Sequence, residues 1–90
     1  FLNVPGTVVA LRAGLPVAVM ERQGKTLRVF DFDALQDALS VLVGEYGARR
    51  VFPGMSRLTV REYPPEAAGA MERAGFIREI QDYVVYRRYR

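Results

Sequence analysis

Hydrophobic and polar positions divide the chain into three regimes. Val8–Leu11, Val17–Met20 and Thr26–Phe30 are short runs rich in β-branched and apolar residues. Runs of about five residues with that composition predict strands. Arg12-Ala13-Gly14-Leu15-Pro16 separates the first two, and Gln23-Gly24-Lys25 the second and third. Each interval contains a glycine able to adopt positive φ, so the three runs read as a meander.

The second regime has helical period. Leu35, Ala38, Leu39, Leu42, Val43 and Tyr46 recur at three- and four-residue steps, which makes one apolar stripe. Asp33 reads as the N-cap, with Gln36 completing a capping box. Gly47 reads as the residue after the helix end. Pro53-Gly54 then marks a turn.

In Ser56–Tyr63, Leu58 and Val60 alternate with Arg57, Thr59 and Arg61, the pattern of a half-buried strand with a basic outer row. Pro64-Pro65-Glu66 opens a second helix whose apolar side is Ala67, Ala70, Met71 and Ala74. Gly75 ends it, and Phe76 folds back over the end. Ile77–Ile80, a turn at Gln81-Asp82 and a last strand over Tyr83–Tyr89 follow. The expected fold is α+β. It is a two-layer domain with a mostly antiparallel sheet of four to five strands, in the order β-β-β-α-β-α-β, and two helices on one face. Ninety residues hold one domain, 1–90.

Composition narrows the function. The chain has neither cysteine nor histidine. That removes disulfides, zinc-cysteine sites, thiol nucleophiles and histidine-based acid-base chemistry. It points to a binding or accessory module rather than an autonomous enzyme. No apolar run has the roughly 18 residues of a membrane helix. No signal segment opens the chain, so the expected location is cytoplasmic. The start at Phe1 suggests the C-terminal fragment of a longer protein.

Net charge is +3 and unevenly spread. Arg12, Arg22, Lys25 and Arg28 lie in the first strand region, and Arg49, Arg50, Arg57 and Arg61 around the later strand. Asp31, Asp33, Asp37 and Glu45 flank or occupy the first helix. Helices covering one sheet face leave the basic residues to gather on the other, a footprint for phosphates. Tyr83-Val84-Val85-Tyr86-Arg87-Arg88-Tyr89-Arg90 interleaves aromatics with arginines, which suits base stacking beside phosphate contact. It also suits an edge strand guarded by charge. Asp31, Asp33 and Asp37 are accounted for by capping and a polar helix face rather than by a metal. Phosphate-binding glycine loops are absent. Phe30, Phe32, Phe52 and Phe76 are expected in the core or at caps, with Phe52 the exposed exception.

Several stretches together carry a family pattern. Ala13-Gly14-Leu15-Pro16 leads into Glu21-Arg22-Gln23-Gly24-Lys25-Thr26-Leu27. The helix with Ala38-Leu39 and Leu42-Val43 follows, then Leu58-Thr59-Val60, Ala74-Gly75-Phe76 and an arginine-rich end. This order resembles the C-terminal domain of the large helicase-related (Lhr-type) DEAD/DEAH-box helicases. Arg61-Glu62-Tyr63-Pro64-Pro65 departs from the glycine- and serine-containing turn usual there. The resemblance implies a non-catalytic accessory module of an ATP-dependent helicase. ATP, Mg²⁺ and the hydrolase motor would lie upstream, and this domain would hold no cofactor of its own. Its expected partners are DNA or RNA, bound weakly and without sequence preference, and upstream domains of the parent protein. Candidate contacts are Arg57, Arg61, Arg87, Arg88, Arg90, Lys25, Arg28 and Tyr86. The alternative is a protein-interaction or dimerisation module without nucleic acid. Ala74-Gly75-Phe76 is also similar to the GCN5-related acetyltransferases, but their pyrophosphate-binding turn is missing.

Overall fold

The computed structural model describes residues 2–4 and 6–87. The strands are β1 (Leu2–Val4), β2 (Thr7–Arg12), β3 (Leu15–Glu21) and β4 (Thr26–Val29), followed by helix α1 (Leu35–Gly47) and β5 (Arg57–Val60). A 3₁₀ turn (Pro65–Ala67) leads into α2 (Ala68–Ala74), and β6 (Ile77–Glu79) and β7 (Asp82–Tyr86) close the fold. The chain is α+β, and its described residues form seven strands in two antiparallel sheets, β1-β2-β3-β4 and β5-β7-β6. This corrects the expectation of one sheet of four to five strands. Both additional strands, β1 and β6, are three residues long, too short to leave a periodic signature.

A seam of backbone hydrogen bonds joins the sheets. The Lys25 carbonyl accepts from the amides of Arg61 (2.8 Å) and Glu62 (3.0 Å), and the Leu27 amide donates to the Glu62 carbonyl (2.8 Å). Gly24, buried in the β3–β4 turn at φ +84°, lets β5 approach: a Cβ there would run into the Leu58 side chain.

The alternation of strand side chains then assigns two faces. Val8, Met20 and Leu27 lie in register in the first sheet, as do Ala10, Ala18 and Val29. Leu58 opposes Val85, and Val60 opposes Tyr83, in the second. Apart from Val29, which is half-buried and packs against it, these residues form the core with Leu35, Leu39, Leu42 and Tyr46 of α1 and Ala70 and Met71 of α2. Its void beneath α1 measures only ≈ 10 Å³, no more than a single water would occupy. Val84, on the opposite parity, is 3% exposed yet stands outside this core.

Local signals mostly held. Gly75 takes φ +112°, and the Phe76 amide donates to the Met71 carbonyl, with the Phe76 ring buried. The capping box did not form. Asp31 Oδ1 accepts from the amides of Asp33 (3.0 Å) and Ala34 (3.3 Å). Gln36 instead bridges to α2, donating to the Ala70 carbonyl and accepting from Arg73. The left-handed residue after α1 is Arg49 (φ 63°) rather than Gly47.

Candidate functional site

Two surfaces gather the residues with chemistry to offer. The first is the sheet face away from the helices. β5 pairs with β7, so Arg57 lies opposite Tyr86, and Thr59 opposite Val84. The aromatic-arginine strand therefore sits beside the basic row. β7 is central, however, and the outer strands are β5 and β6.

Three arginines on or beside this face stand next to a carboxylate. Arg28 Nη1 pairs with Glu21 Oε1 at 3.2 Å, and its guanidinium lies 5.7 Å from the Phe30 ring centroid. Arg22 Nη1 pairs with Glu62 Oε1 at 3.3 Å, the same oxygen that accepts from the Thr26 hydroxyl. Arg61 Nε stands 3.8 Å from Asp82 Oδ2. The Tyr86 hydroxyl donates to Glu79 Oε2 at 2.5 Å. That hydrogen bond raises the tyrosine's pKa, burial adds to it, and Arg57 opposes it. Among the described residues, Lys25 and Arg57 are the exposed cations of the expected contacts left without an ion pair. Exposed pairs add little stability, but each cancels a charge that would otherwise attract phosphate.

Arg87 has a different task. It is 6% exposed. Its Nε donates to the Tyr46 carbonyl (3.1 Å), Nη1 to Pro53 (2.8 Å) and Nη2 to Phe52 (2.9 Å). The guanidinium also lies 4.3 Å from the Tyr46 ring centroid. Phe52 holds φ 46° and a buried ring. A bulky residue persists in that region only when its surroundings over-determine it, and Arg87 grips the carbonyls of Phe52 itself and of Pro53 after it. The side chain expected to touch a ligand is thus an internal clamp. Arg88 and Arg90 lie outside the described residues.

The second surface was not anticipated from the sequence. Where the β2–β3 hairpin meets α1, an open groove of ≈ 460 Å³ runs between Ala10, Leu11, Arg12 and Val17 on one wall and Ala34, Asp37, Ala38 and Val41 on the other. Leu11 is 40% exposed, Val41 52% and Leu15 at the hairpin tip 70%. Phe30 and Phe32, in the connection from β4 to α1, are also exposed. The phenylalanine expectation is therefore reversed at three positions, because Phe52 is buried. Single exposed apolar residues are ordinary, but a contiguous group marks a contact surface. The sequence signal was Val41, which lies off the apolar stripe of its helix.

Among the described residues no three His, Cys, Asp or Glu side chains cluster as metal ligands, and no helix is long and apolar enough to cross a membrane. Comparison with protein-family models, curated proteins and solved structures finds no match to the chain.

Proposed function

We propose that this chain is a non-catalytic accessory module that works by protein contact, bracing or docking through the apolar end between the β2–β3 hairpin and α1. The observation that carries this reading is the contrast in exposure and charge between the two surfaces. Leu11, Leu15 and Val41 stand in solvent beside an open groove. Arg22, Arg28 and Arg61 are each met by a carboxylate on or beside the sheet face, and Arg87 is turned inward. The order of motifs that resembles Lhr-type helicase C-terminal domains supports the bracing role. In such a parent, nucleotide hydrolysis belongs to other domains. A second reading, weak contact with a nucleic-acid backbone, is favoured by the adjacency of Arg57 and Tyr86 together with unpaired Lys25.

Site-specific photocrosslinking in cells separates the two. A benzophenone side chain at Val41 is expected to give protein adducts, and one at Thr59 none with nucleic acid. Nucleic-acid adducts from position 59 with none of protein from position 41 would overturn the proposal.

A further inference from the structure

Charge placement in the groove says what covers it. Arg12 stands at the hairpin wall and Asp37 on the α1 wall, both exposed. Neither makes an ion pair among the described residues. This differs from the sheet face, where most arginines have found a carboxylate. Here one cation and one anion flank the same apolar strip without neutralising each other.

Such a surface is complementary to itself. In a two-fold contact, residue i of one copy meets residue j of the other, and j meets i. The convex part is the hairpin ridge of Leu11 and Leu15; the concave part is the groove floor of Ala10, Val17, Ala34 and Ala38. Seating each ridge in the other copy's groove buries Leu11, Leu15 and Val41. The same arrangement brings Arg12 of each copy to Asp37 of the other. A uniformly acidic or basic rim would instead repel its own copy.

The geometry points to a second copy of this chain as the occupant of the groove, in a two-fold dimer held by Leu11, Leu15 and Val41 and registered by reciprocal Arg12–Asp37 pairs. This rests on the protein-contact reading and goes further by naming the partner. Polar pairs at such a rim fix register and exclude wrong partners more than they add affinity.

Sedimentation velocity on the full chain, up to about 1 mM to reach weak association, tests it. The wild type is expected to shift from monomer to dimer with concentration. Arg12→Asp alone places two carboxylates together, and Asp37→Arg alone two guanidinium groups. Each should weaken self-association by at least about tenfold. An equimolar mixture of the two variants should form a heterodimer, and the double variant R12D/D37R should recover the homodimer. A wild type that stays monomeric, or a dimer indifferent to both reversals, overturns the proposal.

A second measurement does not depend on how the charge variants fold. The chain has no cysteine, so Val41→Cys takes a single nitroxide. Mixed with a ¹⁵N-labelled copy, it should broaden the amides of residues 11–15 in that other copy. No broadening at concentrations where dimer forms overturns the assignment. Crosslinks from Val41 to a different protein alone would defeat the dimer and leave the protein-contact reading standing.

Discussion

The sheet face and the hairpin end treat their charges in opposite ways. On the face, Arg28, Arg22 and Arg61 are partnered by Glu21, Glu62 and Asp82. At the end, Arg12 and Asp37 line one groove and remain unpaired among the described residues. A count along the chain gives the face an excess of arginine. Strand register and the seam between the sheets bring carboxylates beside three of those arginines and reduce the excess. Charge at a surface is therefore a property of pairing: among the described residues the face keeps only unpaired cations, Lys25 and Arg57, whereas the end keeps one charge of each sign.

The most damaging way to break this contrast is to part the sheets. Gly24→Ala puts a Cβ into Leu58 at a position with φ +84°. Left-handed strain and overpacking together are expected to cost about 4 kcal/mol. A urea melt followed by circular dichroism should show the midpoint lowered by a large share of the wild-type value. Next is Arg87→Met, which orphans the carbonyls of Tyr46, Phe52 and Pro53. The loss should be about 3 kcal/mol. Arg57→Met, exposed on the opposite face of the same sheet, should stay within about 0.5 kcal/mol. Equal losses in the two would mean that Arg87 is not a clamp.

A smaller effect sharpens the contrast. Neutralising the paired acids with E21Q, E62Q and D82N frees Arg28, Arg22 and Arg61. Affinity for a DNA duplex at low salt should rise roughly tenfold or more, since each phosphate neutralised releases counterions. No gain would mean that pairing is not what holds phosphate away.

The smallest effect concerns pH. The Tyr83 hydroxyl donates to Glu72 Oε2 at 2.5 Å, which raises its pKa above 10.0, with burial adding to the shift. The folded chain thus holds this proton more tightly than the unfolded chain. The contribution is fully present below the unfolded value and is lost as pH rises through the higher folded one. Urea midpoints for the wild type should fall as pH rises past about 10, and Tyr83→Phe should flatten that fall.

Much of the fold was legible because its signals are local. The meander strands, the buried stripe of Leu35, Leu39, Leu42 and Tyr46, and the Gly75-Phe76 helix end all follow from residues within a few positions of one another. The candidate site was less legible because its determinants are distant in the chain. Arg87 reads as a surface cation until Tyr46, Phe52 and Pro53 arrive beside it. Arg22 is neutralised by Glu62, 40 residues away. Asp33 had the better capping pattern, yet Asp31 took the hydrogen bonds. The exposed Phe30 and Phe32 depend on where the connection into α1 leaves the sheet, which no periodicity encodes.

The most direct test is fluorescence anisotropy of labelled single- and double-stranded oligonucleotides titrated with the chain at low salt. With Arg22, Arg28 and Arg61 held in ion pairs and Arg87 turned inward, no saturable binding by the wild type is expected. Saturable binding whose logarithm falls linearly with log salt, with a slope for about three or more phosphates, would contradict the account and return the sheet face to a nucleic-acid role.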